Sequence, residues 1–251
     1  MTEALEDEFD VVAAWTEQIV GELGPDYAIA AACRGSGSPA ALAWLAEAVE
    51  ARRARRMLDA GSGLGGPAAW LAHHAGLRPV CAEPMRAAAR ASRRLFGLPA
   101  VAATGEALPF PAGTFDAAWC LGVLDTTPDK AGLLAELHRV LVPRGRLGLL
   151  AFLALGSLPP PLPEGNDFCT PSQLDRLLRA ARFQSLRTVP AESLPQAPAS
   201  WRNSVERVED LLARRHAEDP RWQTAQEQTA RMARLISGGH LRPVLMHVAA
   251  V

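Results

Sequence analysis

The feature that most limits how this chain can fold is the glycine-dense turn Gly61-Ser62-Gly63-Leu64-Gly65-Gly66. It follows the apolar run Arg56-Met57-Leu58-Asp59-Ala60 and leads into a helix-forming stretch from Pro67 to about Ala75. Glycines at a strand-to-helix turn let backbone N–H groups come close to a ligand, with the helix N-terminus behind them. Gly61, Gly63 and Gly66 fit the dinucleotide spacing G-x-G-x-x-G, and Glu83 ends the next strand, where a carboxylate can take both ribose hydroxyls. The turn alone therefore leaves a nicotinamide-dependent oxidoreductase open beside other nucleotide-cofactor enzymes.

The rest of the pattern is an alternation of short strands and helices, the mark of a parallel sheet covered on both faces. Helical spacing from Phe9 to Val20, and a Ser38-Pro39 start that predicts a helix to about Arg55, make residues 1–55 an N-terminal helical segment. Residues 56–194 form the core. Its strands are expected at 56–60, 79–83, 101–103, 115–121, 146–153 and 183–189, with a helix capped near Thr127-Pro128-Asp129 running to Val142 and a turn at Arg144-Gly145. Residues 195–239 are too long for a hairpin and carry amphipathic helices, so they read as a helical cap insert, and 240–251 as the last strand. The fold expected is α/β, a Rossmann-like, mostly parallel sheet of seven strands in one domain.

Four blocks stand in one order and spacing. They are Leu58-Asp59-Ala60-Gly61-Ser62-Gly63-Leu64-Gly65, then Glu83-Pro84-Met85, then Glu106 through Asp116, then Glu136 through Leu147. Over about Met57 to Leu150 this series resembles the class I S-adenosylmethionine-dependent methyltransferases, particularly their type 11 small-molecule branch. The resemblance implies methyl transfer from S-adenosylmethionine to O, N or C of a small molecule. It also implies a cofactor site built from Asp59, Gly61, Ser62, Gly63 and Gly65 at the first strand and from Glu83, Pro84 and Met85 at the second. Thr104, Gly105, Glu106 and Ala107 would flank adenine, and Leu121, Gly122 and Val123 would line the end of the fourth strand.

The sequence departs from that pattern at three places. Thr104 stands where the family usually has an aspartate, Asp125-Thr126 where a histidine is frequent, and Pro143-Arg144-Gly145 where the family has Pro-Gly-Gly. A non-catalytic S-adenosylmethionine-binding protein therefore stays as an alternative. A transferred methyl on a sulfonium needs an aligned, desolvated nucleophile more than a catalytic triad. Asp125 is the candidate catalytic base, and Arg34, Trp201 and His240 are the candidate acceptor-binding residues. His73, His74 and His138 fall on helix faces and read as packing.

Composition excludes some partners. With 26 Lys and Arg against 27 Asp and Glu, the net charge of −1 offers no footprint for nucleic acid. No apolar run approaches the roughly 20 residues of a membrane span, and the acidic start does not look like a secretory signal. Cys33, Cys81, Cys120 and Cys169 are widely spaced, without zinc spacing, which suits reduced thiols in the cytoplasm of a protein acting as a monomer or homodimer.

Overall fold

A computed structural model of the chain describes residues 3–35, 37–49 and 54–251. The chain runs α1 (Glu3–Leu23), α2 (Ala28–Ala32), α3 (Pro39–Ala48), β1 (Met57–Ala60), α4 (Gly66–Ala75), β2 (Val80–Ala82), α5 (Arg86–Phe96), β3 (Ala100–Val101) and β4 (Phe115–Leu121). It continues through α6 (Lys130–Val140), β5 (Leu141–Ala154), α7 (Pro171–Ala180), β6 (Phe183–Pro190), α8 (Ala199–His216), α9 (Pro220–Ser237) and β7 (Leu241–Ala250). The strands form one seven-stranded sheet in the order β3-β2-β1-β4-β5-β7-β6, parallel except for β7, which runs against both its neighbours.

Local chemistry starts several of these elements. Ser38 caps α3 by accepting the Ala41 N–H, with Pro39 in the first turn. Thr170 and Gln173 close a capping box on α7, again with a proline next in the chain. In β5, Leu149, Ala151 and Leu153 turn toward α6 and α7, while Leu150 joins the cluster of α3. Both sheet faces are thus covered, as the near-continuous burial of β1 and β4 requires.

Sequence reasoning misplaced three boundaries. The expected turn at Arg144-Gly145 lies inside β5, because α6 ends at Val140 and the chain pairs at once as Phe115↔Leu141 before resuming as Ala117↔Arg146. Arg144 takes a left-handed φ of 62° there, so the excursion is an irregularity within the strand rather than its beginning. The third strand is only Ala100–Val101, and α3 stops at Ala48. The expected continuation of that helix to Arg55 crosses residues 50–53, which lie outside the described residues.

The insert is two helices, and they do not dock alone. Val208 and Leu212 of α8 and Trp222 and Ala225 of α9 share one buried cluster with Val12, Ile19 and Val20 of α1 and with α2. Trp15 of α1 stacks on His216 at 3.7 Å, and Arg215 forms a two-pronged pair with Glu22. Elements that share a core open together. Hydrogen exchange should show α1, α8 and α9 losing protection as one unit; protection lost in α8 and α9 while α1 stays closed would break this linkage.

Candidate functional site

Register places the carboxyl ends of the central strands side by side: Ala60 faces Ala82 on β2 and Cys120 on β4. The chain leaves β1 toward β2 on one side and returns as β4 on the other. Open α/β sheets bind ligands at such a reversal. The glycine turn sits at this crevice, its Gly61 and Ser62 N–H groups donating to the Ala82 carbonyl at 2.7 and 3.3 Å.

The glycines of this turn have different tasks. A side chain on Gly61 would run into Val123, and one on Gly66 into the backbone of Ala32 and Cys33. These two permit close packing of β4 and α2 against the turn. Gly63, at φ 52°, faces open space, with no heavy atom within 4 Å of where a Cβ would stand. Gly65 is also left-handed and packs on Ser92 of α5. Among these positions, Gly63 leaves the room a ligand needs.

Acidic groups dominate the crevice. Asp59 is 1% exposed, and its Oδ2 and the Ser62 hydroxyl have no hydrogen-bond partner. Burial, and then the Glu83 charge, raise the Asp59 carboxyl to about 7 against the opposing pull of the Ala68 N–H. Glu83 accepts the Gly63 N–H at 2.8 Å and the Met85 N–H at 2.9 Å. Burial still raises its pKa, with the Asp10 charge adding to the shift. Asp10 itself, on α1, accepts the Ala87 N–H at 2.6 Å and so caps α5 just past Pro84 and Met85. Sequence reading missed Asp10; a contact between residues 77 apart leaves no local signal.

The segment after β3 closes the next side. The Ala103 N–H donates to the Glu83 carbonyl at 3.3 Å, Thr104 is exposed, and a side chain on Gly105 would strike Leu133 of α6. Glu106 is half-buried and Ala107 exposed. Glu136 and Arg139 hold this loop from α6: Glu136 accepts the Leu108 N–H, and Arg139 donates to the carbonyls of Leu108 and Phe110. The block around Glu136 thus positions the loop rather than touching the crevice.

At the end of β4, Leu121 is buried and Gly122 turns at φ 73° with its N–H on the Leu150 carbonyl. The point where a Gly122 side chain would begin lies 3.5 Å from the Gly35 carbonyl and 4.0 Å from the Phe152 ring. The end of β4 thus comes close to both the α2–α3 loop and β5, and this approach is called the throat below. Arg34 of that loop is exposed, with its guanidinium 5.9 Å from the Trp222 ring centroid of α9. Glu8 of α1 is buried nearby, raised to about 7 by burial against the lowering charge of Arg34.

Asp125 lies in the short turn after β4 and is 2% exposed. Its Oδ2 accepts the Phe152 N–H at 2.9 Å, while Oδ1 has no partner. Burial raises it to about 7, opposed by that N–H and by Lys130. Lys130 is itself buried and donates to the Thr127 carbonyl and Asp167. Trp201 packs against the α3 cluster with Leu194 and Ala191, and His240 sits at the start of β7 beside Pro159 to Pro161. The structure therefore brings Arg34 to Trp222, a residue of the insert that was not among the acceptor-site candidates, and leaves Trp201 and His240 in separate clusters. His74 stacks on Trp70 at 4.0 Å, a packing role.

Residues 58–149 match a family described as "Methyltransferase domain". Among curated proteins, the chain is 30% identical over 125 residues to "Methyltransferase GfsG" of Streptomyces halstedii, covering 45% of this chain and 44% of that protein. It is 37% identical over 133 residues to "Demethylmenaquinone methyltransferase" of Thermus thermophilus, covering 49% and 57%. The matches thus span about half the length of these relatives. Among solved structures, the "[4+2]-Cyclase SpnF" superposes with a TM-score of 0.73 at 20% identity, over 96% of this chain and 93% of that one. The Burkholderia thailandensis 1,6-didemethyltoxoflavin-N1-methyltransferase, solved with S-adenosylhomocysteine, gives 0.53 at 22% identity, over 83% and 75%. At these identities the structures establish a shared fold.

Proposed function

We propose that this chain is a class I S-adenosylmethionine-dependent methyltransferase that transfers the methyl group of S-adenosylmethionine to O, N or C of a small molecule, a reading supported by the match of residues 58–149 to a methyltransferase domain. The observation that carries this reading is the set of unpartnered buried polar atoms. Four side-chain atoms among the described residues are buried without a partner, and three of them, on Asp59, Ser62 and Asp125, lie at the ends of β1 and β4. Buried polar groups normally find partners, so such a cluster points to a ligand with donors. The open space at Gly63 lies next to Glu83 through their hydrogen bond.

The same residues disfavour a nicotinamide dinucleotide. A pyrophosphate seeks free N–H groups at the glycine turn, but here the Gly63 N–H is given to Glu83, and Asp59 adds a second carboxyl. A cationic ligand fits this environment and a dianion does not. Asp59, Ser62, Gly61, Gly63 and Gly65 would hold the amino-acid part of the cofactor, Glu83, Pro84 and Met85 its ribose, and 104–107 its adenine, with 121–123 beneath. When bound, the cofactor supplies an electrophilic methyl on a sulfonium. The chain's part is to hold, orient and exclude water.

We assign α8 and α9, together with α1, to the cover over the acceptor side, and Arg34 to its mouth. The net charge of −1 supports a small-molecule acceptor rather than nucleic acid. The four buried free cysteines suit work in the cytoplasm, as a monomer or homodimer. No helix among the described residues is long and apolar enough to cross a membrane.

Calorimetric titration tests the reading. S-adenosylhomocysteine should bind and NAD⁺ should not; the opposite result would overturn it. One fold carries several reactions, the neighbour superposed over nearly the whole chain being a cyclase, so turnover is tested directly. Mass spectrometry of product from labelled S-adenosylmethionine supplies the second check, and label retained wholly in the cofactor across a broad acceptor panel would exclude turnover.

A further inference from the structure

Beyond the throat at Gly122 lies an apolar shelf. Strand alternation sends Ala151 and Leu153 of β5 into the α6–α7 core and Phe152 to the opposite face. There Phe152, Leu158 of the β5–α7 loop and Met232 and Ile236 of α9 pack against one buried cluster of Ala154, Phe168, Leu235 and Leu241. Met232, Leu235 and Ile236 recur at i, i+3 and i+4, so one stripe of α9 faces this shelf. Arg231 of the same helix is paired to Glu164 and Glu227.

This shelf is not sealed core. Phe152, Leu158, Met232 and Ile236 are only partly buried, and Leu155 and Leu162 of the adjoining loop are 45% and 38% exposed. Contiguous exposed apolar surface marks a binding site more often than chance. Its continuity with the throat says what covers it: the Phe152 ring is 4.0 Å from the would-be side chain of Gly122, at the carboxyl end of β4. The ring's backbone is fixed by the Asp125 carboxylate.

We propose that this shelf is the acceptor subsite, that it takes an apolar, uncharged molecule, and that Phe152 is a specificity-determining residue in it. The inference rests on the methyltransferase reading and names the substrate class of that same site. A charge laid on Phe152, Met232 and Ile236 would be desolvated without a partner.

The test uses two naphthyl probes of different charge, the neutral 2-naphthol and the anionic 2-naphthoate, titrated by calorimetry at neutral pH into the full chain saturated with S-adenosylhomocysteine. 2-Naphthol should bind at least about tenfold more tightly. Phe152→Ala and Met232→Glu should each weaken 2-naphthol by about fivefold or more while S-adenosylhomocysteine affinity is retained, and Leu186→Glu on the exposed edge strand should change nothing. Equal affinity for the two probes, no measurable binding of 2-naphthol, or variants that bind it like the parent would each overturn the proposal. Retained cofactor affinity also shows that the variants fold. Failure of S-adenosylhomocysteine to bind the parent protein would strike the methyltransferase reading itself, whereas its binding without a preference for 2-naphthol strikes the acceptor inference alone.

Discussion

Gly63→Asp should weaken S-adenosylhomocysteine binding by about a hundredfold or more, close to 2.7 kcal/mol, in a protein that still folds. Two glycines three residues apart make this a sharp comparison. A Cβ on Gly63 meets nothing within 4 Å, and aspartate tolerates the left-handed φ of 52° better than most residues. The new carboxylate would nevertheless stand beside Glu83, which accepts the Gly63 N–H, and in the space assigned to the amino-acid part of the cofactor. Gly66→Ala should behave oppositely. Its Cβ would enter the backbone of Ala32 and Cys33, so the cost falls on the packing of α2 against α4. Overpacking of this kind costs about 1–3 kcal/mol, and it should lower the melting temperature by roughly 3–10 °C. Gly63→Asn separates bulk from charge, since it fills the same space without repelling Glu83. Unchanged cofactor affinity in folded Gly63→Asp would remove the glycine turn from the site.

What could be seen in advance was what the chain writes locally. The strand Phe115–Leu121 is found at its expected bounds because turn chemistry at Ala112-Gly113-Thr114 and an unbroken apolar run both mark it. The start of α3 is equally plain, since Ser38 and Pro39 are the N-cap and first-turn signals of a helix. The β5 boundary was hidden because Arg144 adopts a conformation that sequence does not announce, and pairing of Phe115 with Leu141 is a long-range event. The crevice floor could be read from glycine spacing and from Glu83. Its walls could not: Asp10 reaches Ala87 from a helix that reads only as amphipathic, and Phe152 looks like one more core residue of an apolar strand until the throat at Gly122 is seen. Asp125 was chosen from its place after β4, but that it holds Phe152 through one oxygen and leaves the other unpartnered depends on β5 lying alongside.

Cofactor affinity should rise with pH up to about 7 and then level, by close to tenfold per unit while one proton is displaced on binding. The group responsible is Asp59, whose carboxyl is raised from 3.8 to about 7, first by burial and then by Glu83 at the neighbouring strand end. Cys33, Cys81 and Cys120 lie around it, and burial, then its charge, pushes their thiols up, so they stay neutral throughout this range. A ligand bringing positive charge or N–H donors to the unpartnered Oδ2 favours the ionised form and lowers that pKa. Below pH 7 binding must first remove the proton, and above it nothing need be removed. The free protein should show the opposite trend. Between about pH 4 and 7 the folded state holds a proton that the unfolded state has lost, so stability falls as pH rises through this window and then flattens. Glu8 and Asp125, each also raised to about 7, slope the stability curve the same way, so the free protein cannot isolate Asp59. Asp59→Asn can. It keeps the side-chain shape without the titration, and should flatten the pH dependence of S-adenosylhomocysteine affinity measured by calorimetry while weakening binding most at pH 8. A pH profile as steep in Asp59→Asn as in the parent would assign the proton to another carboxyl, and affinity that falls between pH 6 and 7 would contradict an ammonium or N–H donor placed at Asp59.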